Sequence, residues 1–203
     1  MQQTRFKKRR VAIAVSLCAL ILLLIVSIDY RLTLVTYRIT SEKLPGPVRI
    51  VMVSYLHSCF YGENQEELLQ CIQEQNPDMI VLVGDIADDE LPHDGTIAFL
   101  EGLPSAYPCY YVTGNHEFRS SEVETLKGLF RSYGVTVLEG DSEVVTLNGN
   151  ELYLFGVDDP DVGEAIFSRQ LAEANIADHP ELYTILLSHR PERIARYATY
   201  SPD

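Results

Sequence analysis

Four short apolar runs constrain this chain most, because each stops at a side chain able to bind a cation or move a proton. Val48–Ser54 (VRIVMVS) leads to His57, and Met79–Val83 (MIVLV) to Gly84-Asp85. Cys109–Thr113 (CYYVT) leads to Gly114-Asn115-His116, and Leu182–Ser188 (LYTILLS) to His189. Short β-branched, apolar runs bounded by turn residues read as buried strands. The segments between them carry helical periodicity. Asn64–Gln75 places Leu68, Leu69 and Ile72 on one face and is stopped by Asn76-Pro77-Asp78. Thr96–Leu100, Ser121–Tyr133 (Val123, Leu126, Leu129 and Phe130 inward) and Glu164–Asn175 read as helices. So does Pro191–Tyr200, which begins on a proline whose missing N–H is harmless there. Val135–Leu138, Val144–Leu147 and Leu152–Val157 read as further strands, with a hairpin at Asn148-Gly149-Asn150. Residues 31–40 (RLTLVTYRIT) alternate in polarity and predict one more strand, followed by a turn at LPGP (44–47). Alternating strands and helices predict an α/β domain with a largely parallel central section. Ligands of such sheets bind beyond the carboxyl ends of the strands, so the four polar ends should meet in one crevice.

The N-terminus obeys different rules. Residues 1–10 carry five basic side chains and no acid. Val11–Ile28 then runs 18 residues without a charge, about 27 Å of helix, close to the thickness of a bilayer core. Basic residues directly before the run place that end in the cytoplasm and the remainder outside it. A cleaved signal peptide fits less well, since the run exceeds the usual apolar stretch and no A-x-A site follows. The expected organisation is a basic cytoplasmic tail (1–10), a single transmembrane anchor (11–28) and an extracytoplasmic domain (31–203). From Ser41 onward there are 28 acidic residues against nine basic ones, a net −19. Such a surface repels nucleic-acid backbones and suits a protein that gathers cations. Apart from Cys18 in the apolar run, the cysteines are Cys59, Cys71 and Cys109. None forms a C-x-x-C pair, which excludes zinc-ribbon and thioredoxin-like readings and leaves three half-buried thiols.

Taken singly, the polar strand ends are weak signals. Gly84-Asp85-Ile86-Ala87-Asp88 matches an ordinary Asx-turn, though Asp85 could also bridge two cations with its two oxygens. Asn115-His116 could belong to a capped polar loop, and His57 and His189 could be satisfied strand-end histidines. Asp158-Asp159-Pro160-Asp161 reads as a solvated turn or helix cap, and His93 and His179 as solvent-facing. Arg190 fits a substrate phosphate and a surface salt bridge equally.

The ordered set is more specific. Strand–x-x-H, strand–GDxxD, strand–GNHE and strand–SHRPE, in that order, resemble the calcineurin-like metallophosphoesterase superfamily, and within it the membrane-anchored bacterial branch. The resemblance covers roughly Leu32 to Asp203. It implies an α/β/β/α sandwich with two metal ions (Mn, Fe, Zn or Mg) at the strand ends. Asp85 would bridge both ions, His57 would bind the first, and Asn115 and His189 the second. His116 would be the general acid, oriented by Asp88. The implied function is a membrane-anchored phosphoesterase acting on a phosphorylated small molecule or lipid.

Two features depart from that pattern. The first motif reads Ser54-Tyr55-Leu56-His57, with a tyrosine where the family has a carboxylate. A phenolate bound to ferric iron would keep that ligand; a weakened or absent first ion is the favoured reading. The family also completes its site with G-H-x-H after one more strand, and none occurs through Asp203. These departures imply a C-terminally incomplete sandwich. They also support the alternative of a catalytically impaired membrane protein with a binding or structural role.

Overall fold

The computed structural model describes residues 10, 13–23, 31–174 and 179–200. They fall into two compact units, one up to Val35 and one from Thr36. In the first, residues 13–23 form a helix, α1. Among the described residues no helix is long and apolar enough to cross a membrane. The anchor expected at 11–28 lies partly outside them, at 11–12 and 24–28.

The second unit is built on two sheets. Strands β1 (Ile50–Val53), β2 (Met79–Val83), β3 (Cys109–Val112) and β4 (Thr136–Val137) form a wholly parallel sheet in that order. Strands β5 (Ser142–Leu147), β6 (Asn150–Gly156) and β7 (Tyr183–Leu187) form the other. There β5 and β6 are an antiparallel hairpin turned by Asn148 and Gly149, both at positive φ, and β7 runs parallel to β6.

The two-residue period of a strand sorts the core into layers. From β2, Met79, Val81 and Val83 face the second sheet, where they pack with Leu152 and Leu154 of β6 and Leu187 of β7. The alternate residues Ile80 and Leu82 face helices α2 (Glu66–Glu74), α3 (Asp94–Gly102) and α5 (Val123–Ser132). They pack with Leu68, Ile72, Phe99 and Phe130. Tyr111 of β3 stacks on Phe130 with ring centroids 3.8 Å apart. Phe155 of β6 faces outward to Phe167 and Leu171 of α6 (Glu164–Glu173) and Tyr197 of α7 (Ile194–Tyr197). The result is the expected α/β/β/α layering. Because both faces of β2 are covered, it reads as an unbroken apolar run rather than an alternating one.

The differences are local. Residues 31–40 form no strand: all ten are exposed and no neighbouring strand pairs with them, so alternation alone has nothing to bond to. The helix expected at Ser121–Tyr133 begins at Val123 and is preceded by a separate short helix, α4 (Asn115–Arg119). Pro191–Tyr200 breaks into a 3-10 turn (Pro191–Arg193), α7 and a second 3-10 turn (Ala198–Tyr200). The expected end of α6 at Asn175 lies outside the described residues.

Candidate functional site

The carboxyl ends of β1, β2, β3 and β7 bring the expected residues together around Asp85. Beyond β1 the chain runs beside the Gly84–Ile86 turn, with the N–H groups of Tyr55, His57 and Ser58 donating to the carbonyls of Gly84, Asp85 and Ile86. Tyr55, His57, Ser58 and Asp85 all hold positive φ, a conformation L-residues adopt at a cost and one that gathers at functional sites. Gly84, at φ 69, has no room for a side chain: a Cβ there would lie 2.5 Å from Nδ1 of His189. The two sheets meet at this point.

Asp85 is buried, and its two oxygens have different duties. Oδ1 accepts the backbone N–H of His116 at 3.0 Å. Oδ2 lies 3.1 Å from Nε2 of His189 and 3.9 Å from Nε2 of His57. One oxygen therefore faces both histidines, rather than one oxygen facing each. His189 Nδ1 sits 2.9 Å from the Val83 carbonyl, and since a carbonyl only accepts, Nδ1 carries a proton. Nε2 in turn donates to Asp85 Oδ2; a cation beside Asp85 would take the place of that Nε2 proton, with the Val83 carbonyl still orienting the ring. Burial pushes the Asp85 carboxyl up, but hydrogen bonds from His189 and the His116 N–H outweigh it and hold it below the ordinary value. Burial lowers His189, while its bonds to Asp85 and Val83 more than reverse that.

The next cluster adds a residue to the expected set. His116 Nδ1 lies 2.5 Å from Asp89 Oδ1 and 3.5 Å from Asp88 Oδ2, so Asp89 stands closer to the imidazole than the Asp88 expected to orient it. The reason is local. Asp88 Oδ1 accepts the N–H groups of Glu90 and Leu91, each at 2.9 Å, which turns that carboxylate into its own loop. Its other oxygen sits 3.3 Å from Nδ1 of His57. Burial pushes the Asp88 carboxyl up, but the two N–H bonds, with His116 and His57 beyond them, hold it below the ordinary value. Asn115 is buried at the start of α4. Glu117, two residues on, is wholly buried and accepts the backbone N–H groups of Asp85, Ile86, Ala87 and Gly114 at 2.8–3.0 Å. The sequence signal for Glu117 was its place three residues after Gly114, where a Glu can accept the N-cap N–H; for Asp89 there was none beyond the Asp-Asp pair.

Around this centre other polar groups are already paired. Asp158 and Asp159 are buried, not solvated as expected. Asp158 takes the Lys127 ammonium at 3.0 Å and the hydroxyl of Thr113 at 2.8 Å. Asp159 holds Arg190 through two guanidinium nitrogens, at 2.6 and 3.2 Å. The Arg190 alternative thus resolves to a salt bridge, with a buried partner. His93 and His179 are half-buried rather than solvent-facing, beside Glu122 and Tyr153. Cys59, Cys71 and Cys109 are free and half-buried as expected. Tyr55 is 59% exposed, and its ring leans on His189 and His57 with centroids 4.9 and 5.8 Å away.

The donor set fits a divalent cation. One donor atom each from His57, Asp85 and His116 lies within 4.8 Å of the others, and so it is for Asp88, Asp89 and His116. Among the described residues, buried Nδ1 of His57 makes no well-aligned hydrogen bond, although Asp88 Oδ2 lies 3.3 Å away. Imidazole and carboxylate donors of this kind suit Mn, Fe, Zn or Mg.

A family model described as calcineurin-like phosphoesterase matches residues 48–203, a span that contains every residue just described. The chain belongs to the calcineurin-like phosphoesterase family. Membership supports phosphoester hydrolysis as its general chemistry and divalent metals as its general cofactors. Among calcineurin-like phosphoesterases, it is 29% identical over 186 residues to a bovine (Bos taurus) transmembrane protein with metallophosphoesterase domain, covering 83% of this chain and 41% of that one. It is 30% identical over 140 residues to the 3',5'-cyclic adenosine monophosphate phosphodiesterase CpdA of Escherichia coli K12, covering 66% and 49%. It is 25% identical over 151 residues to the metallophosphoesterase YkuE of Bacillus subtilis, covering 72% and 51%. The chain thus spans about half the length of these relatives.

Proposed function

We propose that this chain is a membrane-tethered phosphoesterase that hydrolyses a phosphate ester or pyrophosphate bond at a dinuclear metal centre held by Asp85. The observation that carries the reading is the shared oxygen: Asp85 Oδ2 faces His57 from the first sheet and His189 from the second. His57 would serve the first ion, and Asn115 and His189 the second. Metal ions held there would supply charge against phosphoryl oxygens and acidify a water. The protein supplies the rest. As an imidazolium, His116 would donate through Nδ1–H to Asp89 and carry a second proton on Nε2, which it would give to a departing alkoxide, becoming neutral. The basic tail and charge-free run before the domain support tethering with the N-terminus in the cytoplasm; the name of the bovine relative supports a membrane association only. The acidic domain argues against nucleic acid; a small phosphorylated molecule or lipid is the substrate class proposed, in line with phosphoester hydrolysis as the family's general chemistry.

Tyr55 favours a second reading, a descendant that keeps the fold with a weakened first ion and a binding role. It stands at the first motif's carboxylate position and is largely exposed. One experiment separates the two. The purified chain, loaded with Mn²⁺, is analysed for metal content and assayed on p-nitrophenyl phosphate, its bis-ester and 3',5'-cyclic AMP. Two ions per chain and turnover lost in Asp85→Asn support the phosphoesterase. No turnover with fewer than one ion per chain supports the second reading.

A further inference from the structure

We infer that Glu117 is the positioning residue that sets Asp85 and the Asn115-His116 pair at their working separation. The inference rests on the metal-centre reading above and concerns a residue that touches neither ion nor substrate. Glu117 has no exposed surface, yet no lysine, arginine or histidine accounts for its charge among its described contacts. Its carboxylate is instead met by four backbone donors, with the hydroxyl of Tyr111 beside it. Oε1 accepts Ile86 N–H at 2.8 Å and Ala87 N–H at 3.0 Å. Oε2 accepts Gly114 N–H at 2.8 Å and Asp85 N–H at 3.0 Å.

These four donors come from two different strand ends. Asp85, Ile86 and Ala87 follow β2, and Gly114 follows β3. One side chain thus fastens the turn that carries Asp85 to the turn that carries Asn115 and His116. The fastening is tight: a Cβ on Gly114 would lie 2.3 Å from Asp85 Oδ1. The same contact lets the His116 N–H reach Asp85 Oδ1 at 3.0 Å, which leaves Oδ2 to the histidines. The neighbouring backbone is at positive φ, at Gly84 and Asp85, so it needs an external restraint to stay there.

The chemistry requires a carboxylate and not merely a polar group. Both oxygens accept twice, so an amide in either orientation would present NH₂ to two backbone donors and lose two bonds. Groups that orient metal ligands in this way are worth about 10–100-fold in metal affinity. A cap confined to its own helix would touch only the Gly114 end; this carboxylate spends three of its four bonds on the other strand.

The test measures Mn²⁺ affinity by calorimetry and amide hydrogen exchange on the full chain, with wild type, Glu117→Gln and Glu117→Asp. In metal-free wild type the amides of Asp85, Ile86, Ala87 and Gly114 should be strongly protected. Glu117→Gln should bind Mn²⁺ about 10–100-fold more weakly and lose protection at those four amides while the centres of β2 and β3 keep theirs. Glu117→Asp keeps both oxygens but is one methylene short, and should fall between. A cavity variant in the outer layer, Leu171→Ala, should lower the melting temperature and leave Mn²⁺ affinity unchanged. Glu117→Gln with wild-type affinity and protection overturns the inference, as does rapid exchange of the four amides in wild type, a result that needs no variant to fold. Wild type that binds no Mn²⁺ overturns the metal-centre reading instead, and the exchange pattern still decides for or against Glu117 as the fastener.

Discussion

At the scale of single residues the site depends on how little space it leaves. Gly114→Ala is expected to displace the Asp85 carboxyl, since the new Cβ would sit inside contact distance of Oδ1. Mn²⁺ affinity measured by calorimetry should fall by about tenfold or more, with the far-ultraviolet circular dichroism unchanged. Asp89→Asn should slow turnover by about 10–100-fold through loss of the His116 orientation, and Asp88→Asn by less. Steady-state assays of the two variants side by side check the order. The ligand-bearing strand ends were legible in the sequence, because apolar runs that halt at Gly-Asp or Gly-Asn-His leave few other places for those side chains. The choice between Asp88 and Asp89 was not. Adjacent acids in a turn point in different directions, and which one meets His116 depends on Asp88 closing on the N–H groups of Glu90 and Leu91. For Glu117 only the helix start was legible; its role across two turns was not, because four backbone donors from those turns converge only once the strands are side by side.

At the scale of elements, helix α5 carries an ion cluster into the layer between helix and sheet. Lys127 is 2% exposed and meets Glu139 at 2.6 Å and Asp158 at 3.0 Å. Removing one member of a buried pair strands the other, so Lys127→Met should lower stability by roughly 3–5 kcal/mol in urea unfolding. The pH dependence follows from the same cluster. Burial pushes Glu139 up, but its bonds to Lys127 and Arg131 hold it below its ordinary 4.5. Its contribution is therefore complete above pH 4.5 and is lost as pH falls through the lower folded value. Burial lowers Lys127, its carboxylate partners more than restore it, and it sits above 10.5, so its contribution is lost only as pH rises beyond that. Thermal melts between pH 3 and 6 should show a steeper acid loss in wild type than in Glu139→Gln. The sequence held a trace of this: Lys127 stands four residues after Val123 and three before Phe130, on the inward face. A lysine in that row reads as solvated unless its carboxylate partners from distant segments are known. Short elements were less legible than long ones. The five residues of α4 span barely more than one turn, too few for a helical period to show, and residues 31–40 alternated like a strand without a neighbour to pair with.

At the scale of the whole molecule, the proposed tether and the layered domain make separate predictions. Full-length chain should sediment with membranes and resist extraction by alkaline carbonate, while residues 31–203 alone should be released; immunoblots of the fractions check it. The exposed apolar side chains of α1, among them Ile13, Val15, Leu22 and Leu23, are the surface that lipid would cover. Within the layered domain, the site draws His57, Asp85 and Asn115 from the first sheet and His189 from the second. The apolar filling between the sheets, from Val81 and Val83 to Leu154 and Leu187, together with hydrogen bonds such as His189 to the Val83 carbonyl, sets how far apart those contributions stand. The molecule therefore behaves like a calliper whose jaws are closed by its own interior: a methyl group trimmed well below the rim would be read at the tip as a change in the gap between one carboxylate and one imidazole.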